Sequence, residues 1–544
     1  MKFLKKTLVF AAVSVLFLSA CKKSVNLNDS LTAIPKDAVS VTALNVPSMM
    51  QKADFEAVKN MEFYKNAISE AEKKNPAMAE ILRDPKKSGI DLSKNFYIIQ
   101  DYNFFGGGAQ SGVSGGVLMS LADAKAFEAM LQNAKAGTVE NQDGVKFIKM
   151  TGETSQDNGQ GFNMSTNRDG VVAWNDKMVF LGSNTVEERN PEEVGKGANF
   201  LTYFKTKADQ SIAYNPQLQA LMGSAHDVYS FTSFDKLADE TSAKAAAGAM
   251  NLDPKALKGN YFSGYGDFEK GQIVGKSDFI INKAITKDWG LMFKNNVKTD
   301  FSKYLNGQNL GFALTLGLDT KGLKEILNNN AQFQAIMQMG GSQYGFTVDD
   351  VLKAFDGDIV IAAAPNGKDE NWSGMMGLKV QDKTRLNKFI DALVKASVLI
   401  KDGENAYHLS EGADAMSSSY IKGKSKIVLK DDVLFTGDNV TIDALNGKGS
   451  VNSDVREVLN KNIFGVYANF TKILANTDKM SDPDFTEMKM MINSKTGEST
   501  VKMKNQTDNS LKSLFQAVNK WYLKNKTEEK PKMPTVDKAE RKSI

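Results

Sequence analysis

The chain is poor in the residues most often used for disulfide, metal and acid–base chemistry, with one cysteine and two histidines among 544 residues. A single thiol allows no internal disulfide, so the fold must rely on packed cores. Two histidines are too few for a usual zinc site. A strong net charge is also missing, since 68 Lys and Arg oppose 64 Asp and Glu, and this disfavours a nucleic-acid binder. We therefore expect no bound metal, no free cofactor and no nucleic-acid partner.

Long hydrophobic runs are missing after the N-terminus, so we expect the body of the chain to lie outside the membrane. Hydrophobic residues make up 42% of the chain and charged residues 24%. This composition is typical of a globular protein and excludes disorder as the dominant state. Because domains usually hold about 100–200 residues, the length predicts two or more structural units.

The N-terminus has the pattern of an export signal. Three lysines within the first six residues precede the run TLVFAAVSVLFL, which is too short to span a bilayer as a helix. The run ends in Leu18, Ser19, Ala20 and Cys21, and these residues resemble the lipobox of bacterial lipoproteins. The resemblance implies cleavage after Ala20 and acylation of Cys21 with diacylglycerol and palmitate. An ordinary signal followed by a chance cysteine is the alternative.

The residues after Cys21 bear on where such a lipoprotein is sorted. Lys22 is not the aspartate that retains enterobacterial lipoproteins in the inner membrane, and KKSVNLN is not the acidic run of some surface lipoproteins. The resemblance therefore implies an outer-membrane anchor facing the periplasm, with the cell surface as the alternative. In either place the membrane is reached through the lipid.

A polar segment, 21–33, follows the signal peptide 1–20 and is predicted to be a lipidated tether. The text IPKDAVSVTALNVPSMMQKADF comes next. This opening resembles a family of uncharacterised Bacteroidota lipoproteins that carry a domain of unknown function. The resemblance implies location and architecture, and it implies no active residues.

The body of the chain contains matched segments in the same order, which predicts an internal duplication. Gly116 aligns with Gly377, and Gly182 aligns with Gly437. The matched segments are 115–131 with 376–393, the hairpins ending at Gly182 and Gly437, 227–239 with 465–477, and the hairpins 261–282 and 487–505. Two unrelated domains are the alternative.

The fold class predicted from these segments is α+β. Each unit should be a mainly antiparallel sheet with helices packed on one face, because the strands come in hairpins and strand–helix pairs. We place the first unit at 34–300 and the second at 301–525, which ends in an amphipathic helix. A charged tail, 526–544, is predicted to be disordered.

Four short motifs resemble those of enzymes. Ser419-x-x-Lys422, Ser450-x-Asn452 and Lys495-Thr496-Gly497 follow the order of penicillin-binding signatures, but a β-rich segment follows the first and a hairpin turn is expected at the third. The stretch from Gly271 to Ser277 resembles a phosphate loop with one residue too few between its glycines. We interpret all of them as chance matches.

Histidines and carboxylate pairs give equally little sign of a catalytic site. His226 and His408 are each interpreted as structural or solvated. Asp349-Asp350 and Asp431-Asp432 lack calcium-loop spacing, and the second pair lies in a predicted hairpin turn. We predict no catalytic and no metal-binding residues, although carboxylates brought together only by the fold would escape detection.

Methionines cluster in the second half, and thioether side chains suit both ordinary cores and surfaces that accept varied apolar partners. The clustered positions are Met337, Met339, Met375, Met376, Met488, Met490 and Met491. The leading hypothesis is a non-catalytic envelope lipoprotein that binds a partner protein or supports an envelope complex. The alternatives are a carrier or sensor of an apolar ligand such as lipid, and an enzyme with unrecognised carboxylate or serine chemistry.

Overall fold

A computed structural model describes residues 30–102, 113–156, 164–184, 200–235, 253–282, 293–308, 310–328, 345, 347–365, 372–411, 425–438, 451–474 and 484–527. The strands of these residues form one sheet of 20 strands, and every paired neighbour is antiparallel. The predicted mixed helix and strand content and the antiparallel sheet are confirmed.

The first ten strands occupy the N-terminal half of the chain. They are β1 (Ser40–Leu44), β2 (Phe96–Tyr102), β3 (Val113–Ser120), β4 (Glu140–Gln142), β5 (Val145–Gln156), β6 (Met164–Trp174), β7 (Met178–Asn184), β8 (Val228–Ser233), β9 (Tyr261–Glu269) and β10 (Gln272–Ile280).

The other ten strands occupy the C-terminal half. They are β11 (Phe312–Gly317), β12 (Phe355–Pro365), β13 (Trp372–Val380), β14 (Leu399–Lys401), β15 (Ala406–Leu409), β16 (Ser425–Lys430), β17 (Val433–Asp438), β18 (Phe464–Asn469), β19 (Phe485–Ile492) and β20 (Thr496–Met503).

The pairings fix the order of strands across the sheet as β4-β5-β6-β7-β3-β2-β1-β8-β9-β10-β20-β19-β18-β11-β12-β13-β17-β16-β15-β14. The two halves of the chain meet where β10 pairs with β20, from Gln272 opposite Lys502 to Asp278 opposite Thr496. Both outer strands, β4 and β14, have only three residues, which limits pairing with other chains at the edges.

Thirteen helices are described within the same residues. They are α1 (Val46–Ala53), α2 (Phe55–Lys59), α3 (Glu62–Lys74), α4 (Pro76–Arg83), α5 (Ala124–Asn133), α6 (Leu201–Lys205), α7 (Pro216–Met222), α8 (Thr320–Asn328), α9 (Val348–Ala354), α10 (Lys383–Lys395), α11 (Ser453–Leu459), α12 (Phe470–Leu474) and α13 (Ser510–Thr527).

Several helices begin at polar residues that bond to free backbone N–H groups. The Asp123 carboxylate accepts from the N–H groups of Lys125 and Ala126 at the start of α5, and Asp382 accepts from Arg385 at the start of α10. Such caps satisfy donors that have no partner within the helix. Both caps lie in the strand–helix segments that the sequence predicts.

The sheet has two faces, which we call A and B. On β1, Val41 and Ala43 point to face A, and Thr42 and Leu44 point to face B, because side chains alternate along a strand. Face A of the first half is covered by Leu31, by Tyr203 of α6 and by Leu218 of α7, together with Met222. Face B of the first half is covered by α1, α5 and α13, which contribute Val46, Phe127 and Phe515 to one core.

Helices lie on both faces of the second half as well. Face A packs against a short 3-10 helix at Phe301–Tyr304 and against Val455 of α11. The opposite face packs against Leu386 and Ile390 of α10, which share a core with Leu434 of β17. The prediction of helices on one face is therefore wrong. Several strands carry apolar side chains on both faces of the sheet, and packing on each face removes these side chains from water.

Three described elements cross the predicted boundaries. Ser30–Ala33, within the predicted tether, form a 3-10 helix in which Leu31 is fully buried. Val297, before the predicted start of the second unit at residue 301, is buried among core residues of the second half. The helix α13 extends to Thr527, beyond the predicted end of the second unit at residue 525, and packs on the core of the first half.

No helix among the described residues has the length and apolar character needed to cross a membrane.

Candidate functional site

The predicted lipidation site, Leu18, Ser19, Ala20 and Cys21, lies outside the described residues, which begin at Ser30.

The penicillin-type residues are only partly described. Ser419, Lys422 and Ser450 lie outside the described residues. Asn452 caps α11 by accepting from the N–H of Val455 at 2.8 Å. Lys495 lies in the turn between β19 and β20, and the adjoining Thr496 and Gly497 begin β20, as predicted for a hairpin.

The phosphate-loop-like stretch is a strand. Gly271 forms the turn before β10 with a φ of +69°, and residues 272–280 pair with β9 on one side and β20 on the other. Lys276 forms an ion pair with Glu498 at 3.0 Å on the neighbouring strand. Its backbone groups are engaged in the sheet, so they cannot encircle a phosphate.

His226 lies just before β8 and packs locally. Its ring stacks on Tyr265 with 3.5 Å between centroids, and its Nδ1 lies 2.7 Å from an Asp267 oxygen. His408 lies on β15, 3.9 Å from the Asp402 carboxylate. Within the described residues, neither ring makes a hydrogen bond to a serine or threonine hydroxyl.

The first carboxylate pair is placed by neighbouring helices. Asp349 bonds to Lys324 and Lys353, and these hydrogen bonds lower its pKa. Asp350 forms a capping box with Thr347 at the start of α9, which lowers the pKa of Asp350 as well. The pair therefore stabilises a helix end.

The second pair, Asp431 and Asp432, forms the predicted turn between β16 and β17, with φ angles of +49° and +64°. Asp432 bonds to Lys383, and this hydrogen bond lowers the pKa of Asp432. No group of three or more metal-ligating side chains occurs in the part of the chain that the structure describes.

Sequence reasoning missed a polar network around Asp227, which is fully buried. The carboxylate accepts hydrogen bonds from the Ser48 hydroxyl, the Lys52 ammonium and the Phe268 N–H, each at 2.6 Å. Ser48 and Lys52 are one turn apart on α1, so the network ties α1 to β8 and β9. The signal that could have found it is the i, i+4 spacing of Ser48 and Lys52 after the Asn45 cap.

The histidine belongs to the same network. The N–H of Asp227 donates to Asp267, the residue that holds the His226 ring. Tyr229 accepts from the His226 N–H and donates to the Ser224 carbonyl, and burial raises the pKa of Tyr229. Every donor and acceptor named here is engaged within the network, so its evident role is to hold α1 and the ends of β8 and β9 together.

The described methionines of the second half lie on both faces of the sheet. Met375 is buried in a core on face A, and Met491 packs against the same core. Met376, Met488 and Met490 point to face B and are half-buried. The core interpretation and the surface interpretation therefore each apply to different residues, and Met337 and Met339 lie outside the described residues.

Two of the face-B methionines belong to a continuous row of apolar side chains across five strands. Cross-strand pairing places Met376, Ile361, Leu314, Val466 and Met490 side by side from β13 to β19. Ile361 is 40% exposed, while its strand neighbours Val360 and Ala362 are buried on face A. We call these five residues the apolar row, and it is the candidate functional site.

A charged cluster on face A lies behind the apolar row. Asp454 of α11 bonds to Lys489 at 2.6 Å and to Lys502 at 2.9 Å, and these hydrogen bonds lower the pKa of Asp454. Tyr467 lies 3.0 Å from Glu487, and burial raises the pKa of Tyr467 to about 12. The cluster joins β18, β19, β20 and α11. Its ion pairs and hydrogen bonds on face A therefore fix the positions of two strands, β18 and β19, that carry the apolar row on face B.

One family model matches the chain. It is described as a domain of unknown function (DUF4836), and the match covers residues 31–411. It begins at Leu31, within the buried 3-10 helix. No curated protein and no solved structure shows a significant match.

Proposed function

The chain belongs to the DUF4836 family of domains of unknown function, and we propose that it is a non-catalytic envelope lipoprotein that binds a partner protein. In this proposal an acylated Cys21 is the anchor and the apolar row is the binding surface. The observation that carries the anchor is the sequence Leu18-Ser19-Ala20-Cys21, which ends in the only thiol of the chain.

The location proposed is the outer membrane, on its periplasmic side. The support is Lys22 after the cysteine and the lack of an acidic run behind it. Attachment through two or more acyl chains is enough for stable anchoring.

The apolar row supports the binding of a partner protein for two reasons. The row is an apolar line in which Val466 is buried, Met376, Leu314 and Met490 are half-buried and Ile361 is exposed. Flexible thioethers in such a line offer a contact surface that adapts to the shape of a partner. Ile361, between Met376 and Leu314 in the row, is 40% exposed, although it lies on an inner strand of the sheet. The same two features favour an apolar ligand such as lipid as a second candidate.

Acyl labelling tests the anchor. The wild-type chain should incorporate labelled palmitate and fractionate with the outer membrane, whereas Cys21→Ser should incorporate none and leave an unprocessed precursor or a soluble form. Ser19→Ala keeps a small residue before the cleavage site and is the matched control, expected to be labelled normally. Labelling of the Cys21→Ser chain would refute the anchor.

Site-specific crosslinking tests the apolar row. A photoreactive residue at Ile361 should capture one protein partner in intact cells. The same residue at Ile400, which is 46% exposed on β14 and outside the row, is the control and should capture none. Met490→Lys should abolish the crosslink from position 361. A crosslink to lipid would favour the second candidate, and equal products from both positions would refute a role for the row.

We further propose that the two halves arose by internal duplication. The support is the strand order on either side of the pairing between β10 and β20. Outward from this pairing, the first half has the order β10-β9-β8-β1-β2-β3-β7-β6-β5-β4, and the second half has β20-β19-β18-β11-β12-β13-β17-β16-β15-β14. Each strand therefore occupies the same position as the strand whose number differs from its own by ten. The predicted glycine equivalences do not both hold, since Gly116 lies opposite Gly182, whereas Gly377 lies opposite Phe435, two residues before Gly437. Superposition of the halves in an experimental structure tests the proposal, and different connections between the strands would refute it.

A further inference from the structure

The apolar stripe of α13 extends beyond the core that covers it. Leu511 and Phe515 are buried, and Leu514 packs against the same core. The same spacing continues at Val518 and Trp521, yet these side chains are 41% and 43% exposed. An amphipathic helix usually keeps such a stripe against an apolar environment along its whole length.

The change from buried to exposed happens within one turn. Asn519 accepts a hydrogen bond from the N–H of Phe63, which fixes the helix on the body at that point. We call residues 518–527, which follow Ala517, the overhang, and they span about 15 Å of helix. Leu523 is also 41% exposed there, on another side of the helix.

The charge of α13 is of one sign. It contains lysines and no Asp or Glu among its 18 residues, although the whole chain is nearly balanced. Lys512 in the first turns is paired with Asp54 at 2.9 Å. The other three lysines, Lys520, Lys524 and Lys526, are exposed and lie in the overhang.

We infer that the overhang contacts the surface of an anionic lipid bilayer. Tryptophan and lysine around an exposed apolar stripe are the residues that bind at the headgroup level of a membrane. Exposed lysines near such a surface add attraction to anionic headgroups. An apolar groove on a protein would suit the stripe equally well, but it would match the three lysines only if acidic side chains flanked it.

The inference rests on the proposed anchor, which keeps the chain at a membrane. From Cys21 to Ser30, where the described fold begins, the chain can reach about 30 Å, roughly the diameter of a small domain. The Ser30 hydroxyl lies 2.6 Å from that of Ser120, so the described fold begins at the end of β3, in the first half of the sheet. Leu31 packs on face A of that half, and α13 packs on face B. The tether thus leaves the half of the molecule that carries α13, on the face opposite this helix.

Vesicle sedimentation tests the inference without any acyl chain. The mature chain 21–544 carrying Cys21→Ser is mixed with vesicles of equal parts phosphatidylglycerol and phosphatidylcholine, or of phosphatidylcholine alone. We expect sedimentation with the anionic vesicles only. Joint replacement Lys520→Gln, Lys524→Gln and Lys526→Gln should weaken it at least about tenfold, and Trp521→Ala should weaken it as well.

Matched controls keep the result specific. Joint Lys36→Gln, Lys207→Gln and Lys461→Gln lowers the net charge equally at exposed sites elsewhere and should leave binding unchanged. Tyr214→Ala removes an aromatic ring that is 55% exposed and is the control for Trp521→Ala. Absence of binding to anionic vesicles, or equal losses in both lysine sets, would overturn the inference. Such a failure leaves the proposed anchor untouched, because that anchor is tested by acyl labelling.

Discussion

Asp358, at the start of β12, is a fully buried carboxylate whose removal should destabilise the second half. One oxygen accepts from the Lys294 ammonium at 2.8 Å. The other accepts from the Lys298 N–H at 2.9 Å and from the N–H and hydroxyl of Thr299 at 2.8 Å and 2.7 Å. The perturbation proposed is Asp358→Asn, which keeps the size of the side chain and removes its charge.

The expected loss in free energy of unfolding follows from the buried donors that lose their partner in Asp358→Asn. An amide has one acceptor oxygen, so its NH₂ group must face either the Lys294 ammonium or the donors of Lys298 and Thr299. Breaking a buried ion pair costs about 3–5 kcal/mol. Lys294 keeps a second partner, Asp356 at 2.8 Å, which places the expected loss near the lower end, about 3 kcal/mol.

Equilibrium unfolding in urea, followed by circular dichroism, measures the loss as a lower midpoint. Asp432→Asn is the matched control, since this carboxylate also has a lowered pKa but lies at the surface in a turn. We expect the control to unfold at the wild-type midpoint. A loss for Asp358→Asn of less than about 1 kcal/mol would refute the reasoning, because it would mean that the buried donors find other partners.

The same variant predicts a pH dependence. Burial raises the pKa of Asp358, but the hydrogen bonds from Lys294 and Thr299 outweigh burial and hold this pKa below the usual value. A lowered pKa in the folded state gives stability that is complete above the unfolded pKa of about 3.9 and is lost as the pH falls through the folded value. The difference between wild type and variant should thus be constant from about pH 5 to 7 and shrink below about pH 4. A difference that stays constant in acid would contradict this assignment.

Three further predictions concern single side chains. Ser48→Ala removes a donor from the buried Asp227 and should cost about 2 kcal/mol in urea unfolding, so a wild-type midpoint would show that the bond adds nothing. Gly465→Ala would bring a Cβ to within 2.0 Å of the Val458 carbonyl oxygen and should cost about 1–3 kcal/mol, and an unchanged melting temperature would contradict the close approach. Burial raises the pKa of the Tyr467 hydroxyl to about 12, so Tyr467→Phe should remove an absorbance change near pH 12 from the alkaline titration of the native protein. If the variant instead lacks a change near pH 10, the hydroxyl is not buried.

Local patterns predicted the elements well where the signal lies within one hairpin or helix. The alternation from residue 261 to 282 predicts a hairpin, and β9 and β10 form it. The stripe from Ser510 to Asn525 predicts a helix, and α13 extends it to Thr527. In each case the residues that determine the structure are close in sequence, so periodicity and turn residues contain the information.

Long-range arrangement escaped prediction for a physical reason. Pairing of β10 with β20 joins strands more than 200 residues apart, and their register depends on which side chains meet across the sheet. The sequence aligned Gly377 with Gly116 and Gly437 with Gly182, but it does not show that Gly116 pairs with Gly182 whereas Gly377 pairs with Phe435. A difference of two residues leaves every side chain on its own face, so the hydrophobic pattern is the same in either register. The apolar row was likewise invisible, since its members come from five strands, although Met376 and Met490 were recognised singly.

The position of α13 sets the order in which this protein can fold. Leu511 and Phe515 complete a core whose members outside α13 all precede residue 269. A chain that has emerged only as far as its midpoint therefore has the strands of its first half but lacks the last helix that shields them from water. The N-terminal half depends on the C-terminal end, so a chain of this design stays incompletely folded until its synthesis is complete. Truncation of the chain before residue 510 would remove α13. It would therefore destabilise the N-terminal half, which is far from residue 510 in sequence.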